Sequence, residues 1–295
     1  MYWLKRQANY ERALELALRR AQSELDGWLN QVPAPEASPR GRLSDTQKTI
    51  ELRKRLAFYG VNTLQAWHAR YIQMGDGTQF RTSQTFSSDA GAVSLWLRQG
   101  ELEAALTTTK RWSPEKLRES LRDILKLSKI RQPARFLPKL KALGAEAGVA
   151  ILAIRVPKDC RASGASRLIN PDKALVLLSF RHLSDDHFWF TLLHECGHLL
   201  LHGAKPFIDT DDTVLTDNER QANDFASACM IPPERWEEFA NLRYDRDSIL
   251  RFSVSLGIAP GLVVGQLQHR GAVPRDRLNF LKRRWTWTQI ETALA

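Results

Sequence analysis

Two histidines four residues apart inside an otherwise apolar run constrain this chain more than any other feature. The run, residues 188–202, reads FWFTLLHECGHLLLH, and its length and leucine content predict a helix buried over most of its surface. Ionisable side chains on such a helix are costly unless a partner replaces the water they lose. Residues four apart share one helical face, so His194 and His198 present two imidazoles one turn apart, a spacing that a single metal ion can bridge. Glu195 stands about 100° round the helix, from where its carboxylate can reach a water on an open position of the ion and act as general base. The competing explanation is a chance spacing on a core helix. The apolar surroundings weigh against it, because buried histidines need a reason.

A third ligand is available in Glu219, 21 residues after His198 at the start of the next predicted helix, with Asn223 four residues further on. This is the gluzincin arrangement, in which the glutamate completes a Zn²⁺ site and a side chain one turn later hydrogen-bonds a ligand imidazole. The bland account of Glu219 is a first-turn acid favoured by the helix dipole. His202 repeats the four-residue step but reads as a helix-end residue before Gly203, and it fails the metzincin spacing. Cys196, about 200° from His194, should point into the core. Zinc hydrolysis also needs a group to stabilise the oxyanion or hold substrate, and Arg167, Arg181, His182 and His187 are all eligible.

Around the motif the chain divides by texture. Residues 1–30 are helical in pattern, and residues 31–43 (QVPAPEASPRGRL) predict a flexible proline-rich linker. Residues 44–144 read as a helical region: two helices separated by a turn at Gly60, with Tyr59, Trp67 and Tyr71 as core, a loop over 71–84, then helices to 143. Beyond 144, the β-branched runs at 149–156 and 174–180 predict strands, and 157–172 between them a surface loop or edge hairpin. Helices are expected at 189–202, 216–230, 233–240, 247–256, 260–269 and 275–282, and the aspartates at 209, 211 and 212 read as an acidic loop.

The net charge of +10 lies wholly in residues 1–150, which hold 25 basic and 15 acidic side chains against 18 of each in the remainder. Eleven of the basic residues fall between Lys110 and Lys141, interleaved with Leu117, Leu121, Ile124 and Leu125, which predicts a basic amphipathic helix and its continuation. Such a face could meet DNA or an acidic protein, or simply be solvated. No apolar run reaches the roughly 18 residues of a membrane helix, and three cysteines without a close pair fit reduced thiols, so a soluble cytoplasmic protein is expected.

The stretches at 188–202, 219–233 (ERQANDFASACMIPP) and 258–268 (IAPGLVVGQLQ) resemble the ImmA/IrrE family of metallo-endopeptidases. The resemblance runs upstream through Ser163-Gly164-Ala165-Ser166-Arg167 and Leu178-Ser179-Phe180-Arg181, covering residues 145–285 well and the region from about 50 more loosely. It implies an α+β, zincin-like domain with a small sheet and an active-site helix, preceded by a mainly helical region. It also implies a zinc endopeptidase that cleaves a helix-turn-helix repressor or antitoxin and so derepresses mobile-element, toxin-antitoxin or stress genes. Cys196 departs from the small or aliphatic residue more usual in the family. Residues 2–10 (YWLKRQANY) resemble the closing helix of HigA-type helix-turn-helix regulators, which implies that the DNA-binding domain preceding the peptidase in longer members is largely missing. The alternative to an enzyme is a non-catalytic zinc-binding module that acts by binding protein or DNA.

Overall fold

The computed structural model describes residues 5–9, 11–13, 16, 27, 29–30, 32–35, 43–72, 84–203, 207–210 and 216–294. The chain forms two compact units, Met1–Gln99 with Val156–Arg161, and Gly100–Arg155 with Ala162–Ala295.

In the first unit the described positions before residue 31 are all helical; the rest of that tract, including residues 2–4 and 10 of the stretch resembling a HigA-type helix, lies outside the described residues. So do residues 31 and 36–42 of the proline-rich stretch. Within that stretch Val32 is packed in the core, and the Arg55 guanidinium donates to the carbonyls of Leu29 (2.5 Å) and Val32 (2.7 Å). Helix α1 (Asp45–Tyr59) opens with a reciprocal capping box between Ser44 and Gln47 and ends at Gly60, whose φ of 62° is the left-handed turn expected there. Helix α2 (Leu64–Trp67) runs on into a π-helical turn, His68–Ile72. Tyr59 meets Trp67 and Tyr71 edge-on at ring distances of 6.1 and 5.3 Å, so these aromatics form the core that their spacing suggests. Residues 73–83 of the loop expected over 71–84 are outside the described residues.

Next come α3 (Gln84–Leu106), α4 (Pro114–Lys126) and α5 (Pro133–Glu146). The expected basic amphipathic helix is α4: Leu117, Leu121, Ile124 and Leu125 are buried and Lys116, Arg118, Arg122 and Lys126 exposed. Among the described residues four strands follow, interrupted by the motif helix: β1 (Val149–Ala153), β2 (Ala162–Asn170), β3 (Lys173–Leu178), α6 (Asp185–Leu201) and β4 (Phe207–Thr210). Helices α7 (Asp217–Met230), α8 (Trp236–Ala240), α9 (Arg246–Leu256), α10 (Pro260–His269) and α11 (Trp287–Leu294) complete the chain. The sheet order is β1-β3-β2-β4, with β1 and β3 parallel and the other pairs antiparallel. A mostly helical chain with one small mixed sheet agrees with the α+β expectation. No single described helix is long and apolar enough to cross a membrane.

Alternate residues of the sheet face opposite sides. Val149, Ile151 and Ala153 of β1 and Val176 and Leu178 of β3 join the core formed with α5 and α6. Leu177 points the other way, where a Cβ on Gly100 of α3 would stand only 2.6 Å from it. Within the segment 157–172, expected to be a loop or edge hairpin, residues 157–161 are outside any strand but 162–170 form β2, which lies inside the sheet between β3 and β4. Its Ala-Ser-Gly-Ala-Ser sequence lacks the bulk and β-branching of a typical strand because α6 lies directly on it: a Cβ at Gly164 would be 2.5 Å from Thr191 Cγ2. Asp209 belongs to β4 rather than to an acidic loop, while Asp211 and Asp212 lie outside the described residues. The helix expected over 275–282 shrinks to a 3₁₀ turn, Asn279–Leu281. There Leu278 has φ 63°, and Gln268 Nε2 donates to the carbonyls of Arg275 and Arg277 in place of helical partners. Helix α11 had no counterpart among the expected elements.

The start of α6 is clamped by the segment after that turn. Ser184 bridges Arg284, Trp285 N–H donates to Leu183 O (2.9 Å), and the Trp285 ring packs edge-on against Phe180 and Phe188. Asp186 is bonded to Lys282 Nζ (2.6 Å) and to Ser184 Oγ; although burial opposes ionisation, these bonds hold its carboxyl below the usual range. Asp185 Oδ1 accepts from the N–H groups of Asp186 (2.9 Å) and Arg283 (3.0 Å), but burial dominates and pushes its carboxyl up to about 6. A folded-state value above the unfolded one means that this group's contribution to stability is complete below about pH 4 and is lost as pH rises through about 6. Asp185→Asn keeps the Oδ1 acceptor and removes the buried charge. It should therefore be more stable than wild type at pH 7.5 by on the order of 2–3 kcal/mol, with the gain vanishing near pH 4. Urea midpoints of both proteins across that range test this; equal destabilisation of the variant at both ends would show that burial of the charge is not the governing cost.

Candidate metal centre

Helix α6 carries the motif in its buried second half, where Leu192, Leu193 and Cys196 are wholly enclosed. Helix α7 packs against it, which Gly197 permits: a Cβ there would meet Phe225 Cδ1 at 3.0 Å and Ala222 Cα at 3.3 Å. The sequence fixes the start of α7 through Thr216, whose hydroxyl accepts from the N–H of Glu219 (3.3 Å), and through Asp217 and Glu219 in the first turn. The glutamate is thereby delivered, one helix over, to the face that holds both histidines.

His194 Nε2 lies 3.1 Å from Glu219 Oε2, His198 Nε2 lies 3.3 Å from Glu219 Oε1, and the two Nε2 atoms are 2.9 Å apart. All three donor atoms fall within 4.8 Å of one another, and all three side chains are buried. The set carries two imidazoles and one carboxylate, the donors and the single negative charge that suit a divalent cation in a three-ligand site with an open position. Burial works against the Glu219 carboxylate, but the two imidazoles facing it outweigh that cost and bring its pKa down to about 2. Burial pushes the His198 imidazole below its usual value, with His194 and His202 adding to the shift and Glu219 opposing it. These effects favour a neutral His198 imidazole and an ionised Glu219 carboxylate, the forms that donate lone pairs to a metal.

The outward ring nitrogens are also engaged. Asn223 Oδ1 lies 3.0 Å from His194 Nδ1, and an amide oxygen there accepts the Nδ1 proton and leaves Nε2 bare. The partner of His198 was not anticipated: its Nδ1 is 3.1 Å from His202 Nδ1, and His202 Nε2 is 3.2 Å from Gln221 Oε1. With Gln221 accepting from His202 Nε2–H, His202 Nδ1 is the acceptor for His198 Nδ1–H, and His198 Nε2 is left bare as well. The four-residue step from His198 to His202 was the available signal.

Glu195 has no exposed surface and lies against β2, where a Cβ at Gly164 would come within 2.6 Å of its Oε1. Cys196 sits in the core, outside the metal-capable group, with its thiol pushed up by burial. Of the candidate substrate contacts, His187 lines a cleft along the first half of α6, its ring stacked on His182 at 4.2 Å. Arg181 is near the end of β3, its N–H directed at Ser179 Oγ (3.4 Å), and is not part of the cleft lining. Arg167 is a correction: three residues from Gly164 on β2, it faces the other side of the sheet from α6 and pairs with Glu101 at 2.5 Å. Gly164, Gln266 and His269, none of which the sequence marked as a site residue, border Glu195 or line the cleft.

No curated protein matches the chain. Residues 151–260 match the family model described as the IrrE N-terminal-like domain, Peptidase_M78, a span that takes in His194, Glu195, His198, Glu219 and Asn223. The matched span runs from within β1 to the first residue of α10, and over it the chain is similar to a metallopeptidase family, in agreement with the resemblance to ImmA/IrrE proteins.

Proposed function

We propose that the chain is a zinc-dependent endopeptidase that cleaves a helix-turn-helix repressor or an antitoxin-type protein and thereby regulates transcription of mobile-element, toxin-antitoxin or stress genes. The observation that carries the reading is the convergence of His194, His198 and Glu219 within 4.8 Å, with the buried Glu195 one residue from the first histidine. Zinc in such a site supplies Lewis acidity and lowers the pKa of water toward neutrality. His194 and His198 hold the ion through Nε2, and Glu219 through its carboxylate. Glu195 accepts the proton of the attacking water and returns it to the departing amine. Asn223 and the His202–Gln221 pair keep the two ligand imidazoles in the required tautomer and orientation. The substrate lies extended along the edge of the sheet, where β4 is the outermost strand beside β2. A repressor substrate puts the enzyme in the cytoplasm.

Wild type should bind about one zinc per chain and His198→Ala should lose it, as read by metal analysis of the purified proteins. With a co-expressed repressor, Glu195→Gln should cleave about 10²–10⁴-fold more slowly than wild type while retaining zinc. Equal cleavage by the Gln variant would end the mechanism. Binding of a candidate by both proteins with cleavage by neither would favour a non-catalytic zinc-binding module instead.

Removing either outer partner should weaken the metal without unfolding the helix. Asn223→Ala and His202→Ala are each expected to raise the zinc dissociation constant about 10–100-fold in a chelator competition. If His202→Ala binds zinc as tightly as wild type, the contact with His198 is incidental.

A further inference from the structure

The cleft beside the metal centre has a charge that the endopeptidase reading leaves unused. Its volume is about 520 Å³, and its walls come from α6, α10 and the segment following α10. Phe190 and Thr191, one helical turn before His194 and Glu195, line it. The Phe190 ring lies 6.1 Å from the His194 ring and 6.0 Å from that of His269, so a single side chain separates the cleft from the metal cluster. Thr191 and Glu195 border the same point on β2, both within 2.6 Å of where a Gly164 Cβ would be.

Among the described residues that line the cleft, Asp186 is the one carboxylate, and it is already bonded to Lys282 and Ser184. The remaining charged lining is cationic. Arg275 and Arg284 are exposed, and no described carboxylate pairs with either; Arg284 Nη1 reaches only the carbonyl of His182, at 3.4 Å. His269 at the end of α10 adds a third group that is cationic when protonated. Unpaired guanidinium groups around a concave, partly apolar surface focus a positive potential into it. The cleft, walled in part by Phe190, Met230 and Leu262, has the volume of a ligand site and so has room for a substrate side chain together with the peptide that carries it.

We propose that this cleft is a specificity pocket for an acidic side chain of the peptide substrate, with Arg275 and Arg284 as the groups that recognise its carboxylate. This rests on the endopeptidase reading and narrows its substrate: an aspartate or glutamate lies within about two or three residues of the bond that is cut, the reach of an extended chain at ~3.3 Å per residue. The preference is electrostatic, so it weakens as salt rises.

The test uses the zinc-loaded full chain and a quenched-fluorescence peptide library scanned with Glu, Gln and Lys at each position around the cut. At one position kcat/KM should favour Glu over Gln by about tenfold, the scale of a charge-assisted hydrogen bond, and disfavour Lys further. In Arg275→Glu and Arg284→Glu the ratio of Glu to Lys peptides should fall to near one or invert. Arg275→Gln serves as a milder probe if a reversal lowers the thermal midpoint. In parallel, anisotropy with Glu195→Gln measures peptide binding without turnover at low and high salt. Cleavage with no acidic preference, or a preference unchanged in the charge-reversed variants, overturns the pocket assignment and leaves the peptidase intact. Charge-ordered binding to Glu195→Gln with no cleavage by wild type supports the pocket and removes the peptidase. Absence of both binding and cleavage across the library overturns the pocket.

Discussion

A carboxylate buried between two imidazoles is the constraint on which the architecture of the second unit turns. Glu219 has to arrive at the face of α6 that carries His194 and His198, and it must do so ionised although burial disfavours charge. Delivery depends on the cap at Thr216, which sets where α7 begins, and on Gly197, which lets α7 approach α6 closely. The same glycine lies inside the histidine motif, so the residue between Cys196 and His198 has a packing duty distinct from the chemistry on either side of it. The sheet meets α6 under a matching condition. Gly164 and its small neighbours on β2 make room for Glu195 and Thr191, which brings the general-base candidate against a strand rather than into solvent.

The chemistry-bearing residues were more legible in the sequence than the scaffold that holds them. Their signal is a fixed spacing on a helix: four residues between His194 and His198, and a second helix that opens with Glu219 and places Asn223 one turn on. Helical periodicity is local, so those positions can be read without knowing the tertiary structure. The scaffold failed where tertiary contacts override composition. Strand β2 looks like a loop because a helix lies on it and only small residues fit there. The stretch from Arg275 looks helical, yet a glutamine from α10 takes its carbonyls and Leu278 adopts a left-handed backbone. Arg167 was a plausible substrate contact by sequence proximity to the family-like motif. Strand alternation carries it to the far face of the sheet, where Glu101 neutralises it, and no sequence pattern announces which face is which.

The net charge is informative only when it is separated by location. Much of the basic excess falls between Lys110 and Lys141, on α4, α5 and the segments flanking α4, where exposed lysines and arginines surround buried leucines in the ordinary manner of amphipathic helices. The half of the chain that carries the metal centre is neutral by count, yet its cleft is lined by cations because Asp186, the acid that would balance them, is spent on Lys282. A total charge reports on solubility and on long-range fields. What a peptide meets is set by which charges are left over after the fold has made its own pairs.

Those internal pairs also connect the cleft to the rigidity of the site. Lys282 holds Asp186 at the start of α6, Arg283 contributes its main-chain N–H to Asp185, and Trp285 closes over Phe180 and Phe188, so one short segment both pins α6 and forms part of the cleft wall. Catalytic groups tolerate little displacement, of the order of half an ångström for a preorganised site. A helix anchored at its beginning by a buried ion pair and a main-chain hydrogen bond, and packed along its second half by α7, carries its histidines and its side of the cleft together. The α6 side of the cleft wall and the placement of Glu195 are therefore two readings of the position of a single helix.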